Sequence, residues 1–418
     1  MAQKTKQWAA IVMMVALFAM IAFVTNLCSP MAVIVQNQFG AFEFQSQIGN
    51  YANFIAYLVM GIPSGMLIVK FGYKKTALLA LIVGIIGMVL ELLSGTLESM
   101  WIYLLGAFIA GFCMCMLNTV VNPLLNVLGG GGNTGNQLIQ IGGAFNSAAA
   151  VAVYIILGAL IGEVTKDTAI VDAAPAMYIA LGIFVAAFIV LFFTKIEEPK
   201  QEPVKAELIK GALSHRHFAL GALAIFLYMS VEVGTPTYMI KYLISVNISA
   251  GVASLIAAVY WFAMFIGRSI GGSIGGKVSS RAMVSTVAIA AIILLAFGML
   301  APSTLTVQVP GVDWANLSVI WVDVPVGVAA FICVGLCTSV MWGGIFNMAV
   351  EGLGKYTAAA SGIFMTMVFG CAIMVALQAV VAEQTGSYLV SYIIPLACAA
   401  YILFYALVGS RVKKTEAE

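Results

Sequence analysis

Twelve apolar stretches divide this chain, each of about 20 residues and long enough to cross ~30 Å of hydrocarbon as a helix. They lie at 8–30, 48–69, 76–95, 101–127, 137–161, 174–194, 218–243, 251–275, 282–301, 326–349, 358–381 and 388–409. The segments between them alternate in basic content. One set, with Arg268 in the adjoining half of its span, holds seventeen of the nineteen Lys and Arg residues; the other holds only Lys166 and Lys241. Lys and Arg are retained on the cytoplasmic side of short loops, so the asymmetry places both termini in the cytoplasm of a multi-pass membrane protein.

Composition agrees with that reading. Charged residues are 9% of the chain and hydrophobic ones 62%, whereas a soluble domain carries about 25% charge. The spans use most of the 418 residues, which leaves short loops and no room for a separate soluble domain. The first apolar run is too long for a signal-peptide core and lacks a small-residue cleavage site, so it reads as a retained helix. A net charge of +2 carries no expectation of nucleic-acid binding, because the basic residues edge a bilayer. All seven cysteines fall inside apolar runs, which implies neither a disulfide framework nor a metal site. No Ser-His-Asp set and no P-loop are present: GGGG at 129–132 lacks the Lys-Ser/Thr that a nucleotide loop requires and reads as a turn. The chain reads as neither an enzyme nor a holder of a cofactor.

The charged segment 195–217 falls near the midpoint and reads as a cytoplasmic linker between an N-terminal bundle, 1–194, and a C-terminal bundle, 218–418. Part of it, 207–216, has the pattern of an amphipathic surface helix, and His215 and His217 there read as interfacial groups. The halves match at an offset of 206: Gly61 with Gly267, Gly65 with Gly271, Lys75 with Arg281, Pro30 with Pro236. Recurrence at one offset points to a parallel internal repeat. The external loop 302–325 carries Trp314 and Trp321, suited to the interfacial belt.

Polar groups are costly in hydrocarbon, so those retained there are candidates for a cavity lining. Asn118, Asn122 and Asn126 recur every four residues on span 4, on one helical face, and Pro123 frees a carbonyl in the same helix. Gln137, Gln140 and Asn146 lie on span 5, Asn26 and Ser29 on span 1, and Gln47, Asn50 and Tyr57 on span 2. The second half offers Glu232, Thr235, Tyr238, Tyr260, Trp261, Trp342, Asn347 and Gln378. Glu232 stands well inside a helix, and the 206 offset maps it onto Asn26; Arg268 and Glu91 are expected toward the membrane surfaces. A carboxyl at such depth can exchange a proton or attract a cation. Carboxamides both donate to and accept from hydroxyls, and aromatic rings cover C–H faces, so the set suits a neutral polyhydroxylated substrate.

These residues resemble the fucose:proton symporter family of the major facilitator superfamily, and its glucose/galactose branch in particular. The resemblance rests on GIPSGMLIVKFGYKK at 61–75, NPLLNVLG at 122–129, GAFNS at 143–147, FLYMSVEVGTPTYMIKYL at 226–243, IFNMAVEGLGKYTAAASG at 345–362 and YIIPLACAAYILFY at 392–405. It implies an all-α fold of twelve transmembrane helices in two pseudo-symmetric six-helix halves, commonly monomeric. It also implies hexose-type uptake across a bacterial inner membrane by alternating access. Glu232 matches the acid of the glucose/galactose branch, while Ser29 and Asn118 stand where the fucose branch has acidic residues, which places proton coupling through those positions in doubt. The expected substrate contacts are Asn26, Asn118, Asn122, Gln140, Glu232, Tyr260, Trp261, Trp342 and Asn347, with Glu232 as the coupling group for a co-transported H⁺ or Na⁺. Competing readings are an uncoupled sugar facilitator, an exporter of cationic or amphipathic compounds with Glu232 as counter-charge, and a non-transporting sugar sensor.

Overall fold

Hydrocarbon offers no partner to a backbone N–H or C=O, so an apolar run of this length satisfies its polar groups by coiling into a helix. A computed structural model of the chain describes residues 7–39, 48–161, 169–198, 207–248, 250–313 and 318–412. In the first half, α1 is Trp8–Phe39, α2 Ile48–Phe71, α3 Tyr73–Thr96, α4 Met100–Leu128, α5 Gly132–Ile161 and α6 Ile170–Phe193. The short helix α7, Glu207–Ser214, precedes the second half and buries Leu208 and Ala212, as the amphipathic pattern predicts. Among the described residues, eleven helices are long and apolar enough to cross a membrane. The 30-residue α5 is outside that set, although at 1.5 Å per residue it would extend about 45 Å; its first three turns carry the amides Asn136, Gln137 and Gln140.

Several helices of the second half are interrupted. Span 7 runs as α8, Arg216–Met229, a π-helical turn at Ser230–Gly234, and α9, Thr235–Ser245. Then come α10, Ala250–Ile274, and α11, Ser280–Leu300. Span 10 is split into α12, Val326–Thr338, and α13, Met341–Val350. Span 11 is α14, Thr357–Thr366, a 3₁₀ turn, and α15, Gly370–Thr385; α16, Ile393–Phe404, follows.

The segment expected as an irregular external loop is instead an antiparallel hairpin, β1 Thr306–Asp313 with β2 Ser318–Pro325, in register from Thr306↔Pro325 to Asp313↔Ser318. Alternating β-branched residues favour that pairing, burying Val309 and Val324 and leaving Trp321 exposed. Trp314 lies outside the described residues. The GGGG turn behaves as expected: Gly130, Gly131 and Gly132 all have positive φ, which side chains with a Cβ rarely adopt.

Burial sorts the helices into depths. Every residue of α4 from Cys113 to Leu125 is buried, so this helix runs through the centre, with its asparagine file inside. By contrast α6 exposes Tyr178, Ile189, Phe192 and Phe193, an apolar face suited to lipid. The two halves of the chain meet along two seams, α2 against α14 and α5 against α10, and both depend on missing side chains. A Cβ on Gly65 would sit 2.8 Å from the Ala358 carbonyl and 3.1 Å from Gly362 Cα. A Cβ on Gly275 would sit 3.2 Å from Gln137 Cα. Small residues let helix backbones approach this closely in a membrane.

Overfilling such a seam costs about 1–3 kcal/mol. Gly362→Leu is therefore expected to lower the melting temperature of the detergent-purified chain. Gly182→Leu, at a position with nothing within 4 Å of its Cβ direction, is expected to leave it unchanged. Equal melting of the two variants would contradict this packing.

Candidate functional site

Each interruption of a helix frees backbone carbonyls, and side chains from other helices fill them. Pro236 has no N–H to give to the carbonyl four residues earlier, that of Glu232. The Tyr260 hydroxyl of α10 donates there at 2.9 Å and also approaches the Val231 carbonyl at 3.3 Å. Pro123 likewise frees the Thr119 carbonyl of α4, which accepts from the Ser361 hydroxyl of α14 at 3.0 Å. At the break between α12 and α13, three consecutive carbonyls each accept from a different helix. Tyr228 donates to Thr338 O at 3.2 Å, Arg268 Nε to Ser339 O at 3.4 Å, and Gln140 Nε2 to Val340 O at 3.1 Å.

Arg268 is the hub of this network, its side chain turned into the bundle from the part of α10 nearer the basic connections. Its residue exposure is 8%. From α10 its Nη1 donates to α5, to Gly143 O at 3.2 Å, Asn146 Oδ1 at 3.1 Å and Ser147 Oγ at 2.8 Å. Its Nη2 faces Glu232 Oε1 at 3.5 Å, an ion pair whose side chains are 10% and 14% exposed. The guanidinium thus ties the π-turn of one half to a helix of the other. A planar fork with five donors is suited to this many-sided role. The pair carries no net charge, so the centre presents neither a free cation to an anionic substrate nor a free carboxylate. Glu91, toward the outer end of α3, is also buried, at 4% exposure, beside Gly106 of α4.

The structure gathers most of the expected residues into one connected region. Asn118 Nδ2 donates to Tyr57 Oη at 2.8 Å and to Met114 O at 3.2 Å. Asn122 Nδ2 donates to Asn118 O at 2.9 Å, and its Oδ1 accepts from Trp342 Nε1 at 3.4 Å across the two halves. Asn126 Nδ2 donates to Asn347 Oδ1 at 2.6 Å, and Asn347 Nδ2 to Ser280 Oγ at 2.8 Å. Gln140 also reaches Asn136 Oδ1 at 3.4 Å, and the neighbouring Gln137 donates to Gly272 O at 3.1 Å. Tyr260 and Trp261 meet edge to face at 5.3 Å, and Trp342 lies 6.1 Å from Tyr228 and 5.6 Å from Phe364. Asn26 stands aside: its amide donates to Ala22 O at 2.8 Å within its own helix. The side chain of Ser29 is outside the described residues.

Among the described residues, the side-chain hydrogen bonds joining the two halves occupy one side of the molecule. They run from Ser147 with Arg268 to Asn126 with Asn347 beside the basic connections. The halves are clasped at the end that carries the basic loops. Sequence reasoning did not count Arg268, Tyr228, Thr338 or Ser339 among the site residues. A signal for Arg268 existed: at the 206 offset it faces Ile62, a break in the repeat flanked by the matching pairs Gly61/Gly267 and Gly65/Gly271.

Comparison with known proteins places this architecture. The family model described as Major Facilitator Superfamily matches residues 13–377. The glucose/galactose transporter of Brucella abortus (strain 9-941) is 27% identical over 405 residues, covering 94% of this chain and 92% of its own. The L-fucose-proton symporter of Haemophilus influenzae is 22% identical over 440 residues, covering 96% of this chain and 97% of its own. The crystal structure of the transporter FucP in the outward conformation superposes with a TM-score of 0.81 at 21% identity, over 96% of this chain and 99% of that one. With these matches, the interrupted helices and the two glycine seams are those of a major facilitator fold, and the chain belongs to the Major Facilitator Superfamily of transporters.

Proposed function

We propose that this chain is a secondary carrier that moves a neutral, hexose-type monosaccharide across a bacterial cytoplasmic membrane by alternating access, coupled to H⁺ or Na⁺ through Glu232. The observation that supports it most is the chemistry of the centre. Uncharged carboxamides and ring N–H groups bridge the halves at Asn122–Trp342, and the one buried ion pair there is internally balanced. Hydroxyls of a sugar can exchange for amide–amide and amide–indole bonds one for one, since each carboxamide both donates and accepts. The relatives' names, glucose/galactose transporter and L-fucose-proton symporter, are those of sugar carriers.

In this reading the basic end faces the cytoplasm, and the clasped halves are closed there and outward-facing. Asn118, Asn122, Gln140, Tyr260, Trp261 and Trp342 contact the sugar near the midplane. Asn347, bonded to Asn126 beside the basic loops, acts as a latch as well as a ligand, and Asn26 completes the lining from α1 when its intrahelical bond is released. Glu232 senses the coupling ion, because neutralising its carboxylate weakens the hold of Arg268 on α5. The halves 1–194 and 218–418, joined by the 195–217 linker, are the rocking units, and a single copy contains the whole pathway. A role in exporting cations is disfavoured because the Glu232 carboxylate already has a cationic partner. An uncoupled facilitator would differ only in lacking ion dependence.

Two measurements check this. Thermal melting of the purified chain against a panel of hexoses and lipophilic cations should show saturable stabilisation by one or more neutral sugars. Stabilisation by the cations alone would reverse the assignment. Vesicle uptake should be saturable and abolished in Glu232→Ala; uptake at the original level in that variant would remove Glu232 from the mechanism. The Arg268–Glu232 pair should also show coupling. Truncating one partner of a buried pair costs about 3–5 kcal/mol, so Arg268→Met is expected to destabilise the chain far more alone than in company with Glu232→Gln. Additive losses would show that the two side chains act independently.

A further inference from the structure

At the end of the molecule opposite the clasp, α9 and α15 border a half-open cavity of about 270 Å³. A turn builds it. Gly386 closes α15 in the left-handed conformation, at φ 64°, where a residue without a Cβ is favoured. The chain then folds back toward α9, and the Tyr388 ring comes to lie 6.4 Å from that of Tyr238. Tyr238 is buried, and its hydroxyl donates to Val375 O at 3.2 Å, which ties α9 to the middle of α15 on the inner side of the cavity. Lys241, Glu383 and Ser387 line it with the two tyrosines.

Opposite charges share this cavity without meeting. Lys241 and Glu383 both line it, yet among the described residues neither belongs to an ion pair. The Lys241 ammonium lies instead over the Tyr238 ring, 5.1 Å from its centroid. An ammonium offers only donors and a carboxylate only acceptors. A guest that satisfies both must therefore donate and accept, as the hydroxyls of a polyol do. The two signs cancel, so the cavity does not select a guest of net charge, and the phenol rings supply a face for C–H groups. Its volume is near the ~300 Å³ lower end of small-molecule sites, the scale of a single sugar ring rather than an oligosaccharide.

We propose that this cavity is a second sugar subsite, in which the hydroxyls of a hexose bridge Lys241 and Glu383 while its ring lies against Tyr388. The subsite is separate from the centre. Lys241 follows Glu232 by nine residues along span 7, about 13 Å at the helical rise of ~1.5 Å per residue. The inference rests on the carrier reading, since it assigns the same class of substrate to a further site. It adds a capture step at the end that this reading turns outward, ahead of the exchange of amide bonds at the centre.

The test is equilibrium dialysis of radiolabelled D-glucose, D-galactose and L-fucose against the full-length chain in detergent. The expected result is two equivalents of at least one sugar per chain, falling to one in Glu383→Gln and in Tyr388→Ala, both at exposed positions. A second measurement reads the cavity directly: Ser387→Cys is labelled with a charged, membrane-impermeant maleimide, with the unaltered chain as the blank. Sugar at ~10 times its Kd should slow that labelling about tenfold, and should still do so when Trp342→Ala is added to weaken the centre. One equivalent that both variants retain, or protection that vanishes with Trp342→Ala, would overturn the subsite and leave the carrier reading standing. Protection by phosphoethanolamine and by none of the sugars would assign the two charges to a zwitterionic headgroup and overturn it as well. Absence of binding by any sugar would overturn both the subsite and the carrier reading.

Discussion

Every unpaired carbonyl inside a bilayer must find a donor within the protein, and the centre of this molecule is built around that demand. Proline at positions 123 and 236, the π-turn at Ser230–Gly234 and the break after Thr338 each release backbone oxygens. Tyrosine, serine and arginine side chains from other helices take them up, with Tyr260 on Glu232 O, Ser361 on Thr119 O and Arg268 on Ser339 O. The Ser361 bond crosses between the halves of the chain, as does that of Gln140 to Val340 O. The irregularities that would weaken an isolated helix are therefore what bind the two bundles at one end. Individually such interhelical bonds are worth only about 0.6 kcal/mol. That scale suits contacts that must be broken and remade in each transport cycle.

Arg268 gives the arrangement its direction. It is held by three acceptors on α5 and a carbonyl at the α12–α13 break, with Glu232 as its ionic partner. A change in charge at Glu232 alters the residue that joins α10 to α5 and to the α12–α13 break. In the proposed function, where Glu232 is the coupling group, this links that group to the relative position of the halves through a single side chain. The glycine seams supply the complementary feature: with Gly65 against Gly362 and Gly275 against Gln137, backbones approach one another closely across the halves.

Much of this was legible before any coordinates. The multi-pass helical fold and the burial of Asn118 and Asn122 follow from hydropathy and spacing, because lipid enforces them residue by residue. The freed carbonyl at Pro123 could be named, though not its partner, since nothing local links Ser361 to Thr119 at a separation of 242 residues. The burial of Arg268 and Glu91 was not legible for a physical reason: position along a helix gives depth, but not which face turns inward. The hairpin at 306–325 was missed because a search for apolar spans treats whatever lies between them as loop, although its β-branched alternation is visible in retrospect. Asn26 shows the opposite limit, a residue of the right type and place whose amide is satisfied within its own helix.

The central claim is that the halves are clasped at the basic end by bonds a bound sugar replaces, and that they separate there during transport. The most direct measurement is the distance between spin labels at Thr134, beside the start of α5, and Lys355, beside the start of α14, in lipid nanodiscs with and without saturating hexose. The account predicts one short population in the absence of substrate and a second, longer population when sugar and the coupling ion are both present. A single distance, unchanged under all conditions in a chain that still transports, would contradict it.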